Sequence, residues 1–285
     1  MKHALPIFSP RHKDWWGKGL DIFKEVFMKC YHKIKLLQLK PSFLMVFLSL
    51  ISALLFGDNR LSAELEGGLV WQSRNVVQIP NTSEGTRFSL VDLVGTGPLP
   101  WARLYLKWNI TNRHNLHILL APLFYTKSGI PDTDINFCGE IFQQGVSTDA
   151  TYKFNSWRIG YSYKIVQRNC CNWWIGFTAK IRDAKIRLEQ QGRGAEETDL
   201  GFVPLLHIGA ERKFSDKLGF IFDLEGLAGG PGRAFDGALK LRYSPSRLWG
   251  LSVGYRTVEG GADVTSVYNF AWIHYGLVSL SYGIK

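Results

Sequence analysis

From Glu64 onward the chain alternates apolar and polar residues with a period of two, and no stretch sustains a helical stripe. The alternation predicts ten strands, over about 64–77, 100–111, 115–127, 150–166, 171–188, 200–214, 217–228, 233–244, 247–258 and 267–284. Connectors after the second, fourth, sixth and eighth strands are short: TNRHN near Thr111, QRNCCN near Asn169, SDK at Ser215 and SPSR at Ser244. After odd strands they are long, over 78–99, 128–149, 189–199 and 259–266, with GGPGR at Gly229 the short exception. Tight turns at one end and long loops at the other are the pattern of a closed up-and-down antiparallel barrel. An even strand count puts both ends of the barrel segment at the tight-turn end. Eight or twelve strands result if part of Gln78–Leu99 pairs differently.

The two faces of these strands ask for two surroundings. In Gly237–Tyr243 one face carries Gly237, Leu239, Leu241 and Tyr243, and the other Ala238, Lys240 and Arg242. After the Pro245 turn Trp249, Leu251, Val253 and Tyr255 alternate with Gly250, Ser252, Gly254 and Arg256. Strands of this length exceed those of ordinary soluble sheets and suffice for a tilted membrane crossing. Aromatic residues gather near their ends, with Tyr161, Tyr163, Trp173, Trp174, Tyr243, Trp249 and Tyr282 by the tight turns and Trp71, Trp101 and Trp157 elsewhere, as interface girdles require. The apolar face then meets lipid, and the polar face lines a lumen. Parity aims Glu66, Arg74, Arg103, Lys107, Arg158, Lys180, Arg182, His207, Glu211, Asp223, Glu225, Lys240, Arg242 and Arg256 inward. A slip of one residue would put these charges in lipid, at about 2–4 kcal/mol for each Lys or Arg.

The first 63 residues read differently. Ser42–Phe56 is an apolar run too short to span a bilayer, with a basic flank before it and a small-residue exit at Ser62 and Ala63, the layout of a secretory signal peptide. Met28–Ala63 makes a complete signal alone, so Met28 is a candidate start. The expected organisation is an extension and signal peptide over 1–63 and a transmembrane barrel over 64–285. Removing the first part takes 10 of 34 basic and 4 of 24 acidic residues with it, leaving a net charge of +4. A strongly basic nucleic-acid binder is not indicated. Cys138 and the neighbours Cys170 and Cys171 lack any metal-binding spacing; the adjacent pair is either a vicinal disulfide or two free thiols. No metal and no cofactor is expected.

The architecture resembles the small bacterial outer-membrane β-barrels. Segments such as GTRFSLVDL, GFTAKIRDAKI, GFVPLLHI and TVEGGADVTSVYNFAWIHY are similar to an uncharacterised family of such barrels. The resemblance implies a monomer in the outer membrane of a Gram-negative bacterium, in contact with its lipids and lipopolysaccharide. In these barrels the last strand is read by the insertion machinery; here Val278, Leu280, Tyr282 and Ile284 alternate as needed, with Ile284 in place of the usual terminal aromatic and Lys285 after it.

Candidate chemistry is sparse. Asp132-Thr133-Asp134 resembles half of the site of the ten-stranded omptin proteases, but the chain has no Asp-x-His to supply the rest. Ser279 follows His274 by five residues, which in a strand sets them on opposite faces about 16 Å apart at roughly 3.3 Å per residue. His207 is read as a lumen residue beside Glu211 rather than a catalytic base, and no catalytic residue is assigned. The glycines of GGPGR, VEGGAD and QQGRGAEE lack the ending of a phosphate loop. The expected role is structural, or that of a narrow porin-like channel whose salt-bridged lumen passes small anions, since parity gives it nine Lys or Arg against four Asp or Glu. The contrasting class is a lipid-modifying or proteolytic membrane enzyme.

Overall fold

The computed structural model describes residues 61–284; the apolar run Ser42–Phe56 of the expected signal peptide and the candidate start at Met28 lie outside these, while Leu61–Ala63 at its expected exit lie in a strand paired on both sides. In chain order the elements are β1 (Leu61–Gln78), β2 (Phe88–Ser89), α1 (Leu90–Val94), β3 (Leu99–Asn109), β4 (His114–Ala121), β5 (Phe124–Gly129), β6 (Ile135–Phe137), β7 (Glu140–Phe142), β8 (Thr148–Gln167), β9 (Cys171–Gln190), β10 (Arg193–Lys213), β11 (Leu218–Gly229), β12 (Gly232–Tyr243), β13 (Trp249–Val264) and β14 (Val267–Ile284). Each strand pairs antiparallel with the next around the wall, and β14 returns to pair with β1 from Leu61↔Ile284 to Gln78↔Tyr268. The barrel is closed and leaves no edge along that seam. Its wall has ten staves, because β4 and β5 are two halves of one strand against β8. The break falls at Pro122, which has no N–H to give the ladder; Leu123 instead receives its bonds from outside regular pairing, to Asn155 Oδ1 at 3.1 Å and from the Phe154 N–H at 2.8 Å.

All four tight turns fall where the short connectors predict them, and both ends of the described barrel lie at that end. Two of the four expected long loops do not exist. β9 and β10 continue past the apolar belt and meet at Gln191-Gly192, and β13 and β14 meet at Thr265-Ser266. Loss of apolar alternation marks where these strands leave the membrane, not where pairing ends. Beyond the belt the β9–β10 hairpin is held by polar pairs, Lys185 to Glu196 at 3.0 Å and Arg187 to Glu196 at 3.3 Å.

The other two excursions, 79–98 and 130–147, fold back over the barrel. Leu90, Leu93 and Val94 of α1, with Ile135, Phe137 and Phe142 of the β6–β7 hairpin, join inward residues of the wall such as Val77, Tyr152, Leu188 and Ile273 in one apolar cluster. α1 is capped by Ser89, whose Oγ accepts from the Asp92 N–H at 3.2 Å. Cys138 and Gly139, with φ of 52° and 84°, form the two-residue turn of the β6–β7 hairpin. Burial pushes the Cys138 thiol up to about 11. Along its axis the barrel therefore has an apolar plug at the loop end and polar inward residues toward the tight-turn end.

Candidate functional site

Below the plug the inward side chains form a dense layer of charge. Asp236 stands at its centre: Oδ2 accepts from Arg103 Nη1 at 2.9 Å and from Arg158 Nη2 at 2.6 Å, and Oδ1 accepts from Arg256 Nη1 at 2.6 Å. Glu66, wholly buried, accepts from Arg256 Nη2 at 3.1 Å and Lys240 Nζ at 2.9 Å. Glu64 accepts from Lys240 at 2.6 Å, Lys107 at 2.9 Å and the Ser279 hydroxyl at 2.9 Å. Glu225 pairs with Arg158, accepts from the Thr178 hydroxyl at 2.6 Å, and faces His117 Nε2 at 3.4 Å. Most of these residues come from strands that are not neighbours in the wall, so their bonds cross the lumen. Buried ions in such a setting are tolerated only when each has opposite charge and hydrogen bonds at hand.

The layer depends on close packing near its rim. A side chain at Gly160 would overlap the His117 ring and the Thr178 hydroxyl, so glycine there lets His117 lie flat against the wall beside Glu225. His207 Nε2 lies 3.1 Å from Asp223 Oδ2, and its ring stands 5.9 Å from that of His117. Lys180 is buried with its ammonium 4.8 Å from the centre of the Phe154 ring. Toward the tight-turn end the lumen widens into a cavity of about 640 Å³, with Trp174, Lys164, Glu211 and Arg242 on its walls. Arg242 donates to the Ser281 hydroxyl at 3.0 Å and has no carboxylate partner among the described residues.

The outer face is the opposite of this. Leu65, Leu69, Ile118, Ile159, Ile175, Phe177, Leu206, Leu239, Leu251, Val253, Val278 and Leu280 project outward around the wall, each more than two-fifths exposed. Trp173, Tyr243, Trp249 and Tyr282 edge this belt at the tight-turn end, and Trp71, Tyr255 and Trp272 at the other. A continuous apolar belt around a closed barrel, with every inter-strand polar group satisfied inside the wall, is what a bilayer demands. The chain is a transmembrane β-barrel of the outer-membrane type.

No protein-family model matches the sequence, and no curated protein matches it. Solved structures similar to this barrel include the outer-membrane protease OmpT of Escherichia coli, at 9% identity over 78% of this chain and 96% of that one, with a TM-score of 0.49. The translocator domain of the autotransporter NalP from Neisseria meningitidis matches at 12% identity over 85% and 95% of the two chains, TM-score 0.42. Ail of Yersinia pestis matches at 10% identity over 78% and 99%, TM-score 0.33. These barrels differ from one another in role, and none of those roles transfers to this chain.

Of the residues that parity aimed inward, Glu66, Arg103, Arg158, Lys180, His207, Glu225, Lys240 and Arg256 are buried, and Lys107, Asp223, Glu211 and Arg242 line the cavity. Arg182 pairs with Asp199 near the loop end, apart from the central layer. Arg74 does not face inward. A bulge between Gln72 and Arg74 inserts one extra residue, reverses the parity of β1, and leaves Ser73 and Arg74 both exposed. Two carboxylates of the layer, Glu64 and Asp236, are absent from the sequence reading, although each shares the parity of a residue that it includes, Glu66 and Lys240. With these corrections, and with Lys164 of the cavity wall added, the inward set holds nine Lys or Arg and six Asp or Glu, which reduces the expected cationic excess.

Register also decides which inward charges lie across from one another. Register sets Asp223 opposite Ala238 and Glu225 opposite Asp236, so neither lies directly across from Lys240 or Arg242. His207 bonds to Asp223, while Glu211 accepts from Asn172 Nδ2 at 3.4 Å. Trp174 and Trp101 are not girdle residues: Trp174 alternates with outward Trp173 and turns into the cavity, and Trp101 packs inside against Tyr275 with ring centres 4.7 Å apart. Cys170 and Cys171 are free thiols.

Proposed function

We propose that this protein is a closed outer-membrane barrel whose role is structural, with a lumen that does not conduct. The reading rests on the layer around Asp236, where three guanidinium groups and the partners of Glu64, Glu66 and Glu225 bridge opposite walls, backed by the apolar plug of α1 and the β6–β7 hairpin. A solute entering the cavity from the tight-turn end meets this layer, and moving past it means breaking several buried ion pairs at once. A narrow passage for small anions is the second reading. It is supported by Lys180 and Arg242, which lack carboxylate partners among the described residues. Insertion through the β14 segment Val278, Leu280 and Tyr282, all outward, and contact with lipopolysaccharide belong to the same proposal.

Liposome swelling separates the two. Vesicles carrying the folded protein should not swell faster than empty vesicles in isotonic chloride, acetate or phosphate. Accelerated swelling that falls with solute size would establish the passage and remove the structural reading.

A further inference from the structure

Closure of the barrel brings together two residues that lie 201 positions apart. On the outer wall, across the β1–β14 seam, Ser73 Oγ lies 2.7 Å from His274 Nε2. The other ring nitrogen, Nδ1, lies 2.5 Å from the Tyr255 hydroxyl and 3.5 Å from that of Thr257. Thr257 Oγ1 in turn accepts from Trp272 Nε1 at 2.7 Å. The imidazole is held among aromatic rings, with centres at 5.6 Å from Trp71, 6.0 Å from Tyr255 and 5.5 Å from Trp272. Ser73 faces outward with the parity of Leu69 and Trp71, and the bulge after Gln72 leaves it without a Cα partner on β14.

We infer that Ser73, His274 and Tyr255 form a lipid-facing esterase site, with Ser73 as nucleophile, His274 as general base and Tyr255 as the residue that positions the imidazole. A serine within hydrogen-bond reach of a histidine whose second nitrogen is held by another group is the arrangement that serine acyl transfer needs. These roles take the tautomer in which Nδ1–H donates to the Tyr255 oxygen, leaving the Nε2 lone pair to take the Ser73 proton. Depth selects the substrate. Toward the tight turns the neighbouring outward residues are Leu69, Val253 and Val278, and toward the loop end they are Arg74, which donates to the Tyr268 hydroxyl at 3.3 Å, and the Arg233–Glu259 pair. The site thus stands at the boundary between hydrocarbon and headgroups, where the ester bonds of acylated lipids lie. Arg74, next in sequence and exposed, places positive charge where a lipid phosphate would sit.

The substrate class is an acyl ester of an anionic membrane lipid. Ser73 Oγ adds to the ester carbonyl carbon as its proton passes to His274 Nε2; the bond to the alcohol oxygen breaks, and that proton leaves with the alcohol. Water, deprotonated by His274, then adds to the acyl carbon, and collapse returns the Ser73 hydroxyl and a free fatty acid. Water is the only co-reactant. The site lies on the outer wall and holds whether or not the lumen conducts.

The test uses the full barrel folded in vesicles of phosphatidylethanolamine and phosphatidylglycerol, and separately in vesicles containing lipopolysaccharide, with released fatty acid measured by mass spectrometry. Release is expected from at least one lipid, and which vesicle yields it distinguishes a glycerophospholipid from an acylated saccharide. Ser73→Ala and His274→Gln should each lower the rate about a thousandfold. Tyr255→Phe should lower kcat and shift the pH–rate profile while KM is unchanged, which a merely structural tyrosine would not do. A fluorophosphonate should label Ser73 in the wild type and not in His274→Gln, with heat-dependent gel mobility confirming that each variant is folded. No fatty acid from either vesicle together with no labelling of the folded wild type would overturn the inference, as would release unchanged in Ser73→Ala.

Discussion

Asp236→Ala is expected to destabilise the folded barrel by about 3–5 kcal/mol, the usual cost of removing one partner from a buried ion pair. The size follows from what is left behind. Arg103, Arg158 and Arg256 each donate to this carboxylate at 2.6–2.9 Å, and all three side chains are almost fully buried. Without Asp236, Arg103 loses the one ion pair it has among the described residues, while Arg158 keeps Glu225 and Arg256 keeps Glu66. Asp236→Asn keeps acceptors but not charge and should fall between. Glu259→Ala removes the partner of Arg233 at the exposed rim and should cost less than about 1 kcal/mol. Urea unfolding in lipid vesicles, followed by tryptophan fluorescence, measures all three. Equal effects of Asp236→Ala and Glu259→Ala would mean that the charge layer is not a buried, mutually dependent network.

The second large effect is expected three residues along the same strand, on the other face. Leu239 projects outward between Phe222 and Tyr255 on the paired strands, while Lys240 beside it points inward to Glu64 and Glu66. Leu239→Arg should therefore cost about 2–4 kcal/mol and lower the yield of folded, heat-modifiable protein. The same charge is stabilised at position 240 and penalised at 239, because adjacent residues of a strand face different media. If Leu239→Arg unfolded at the wild-type urea concentration, the belt would not be in contact with hydrocarbon.

Much of this barrel is legible in the sequence because a membrane wall forces strict alternation on each strand. The strands, the tight turns and the placement of Lys240, Arg256, Arg158 and Glu225 all follow from parity. What escapes is whatever breaks or ignores parity. The bulge at Ser73 shifts Arg74 to the outside, and no local signal announces the extra residue. The hairpin tip over 189–199 has no lipid to face, so its charges resemble a loop while its backbone remains paired. Leu90, Leu93, Ile135, Phe137 and Phe142 stand in segments read as loops; such apolar residues in long connectors were the available sign that these segments fold inward. Contacts across the lumen and across the closure seam, such as Lys240 with Glu64 or Ser73 with His274, depend on the full circuit of the wall and on shear, which a linear reading does not contain.

The proposed sealing of the lumen is tested most directly by current through a planar bilayer holding the folded protein. The charge layer and the apolar plug lie in series along the axis. The account predicts no unitary steps from the wild type at any moderate voltage, at neutral pH and molar potassium chloride. Reproducible steps of uniform size from the wild type, absent in protein-free bilayers, would contradict it.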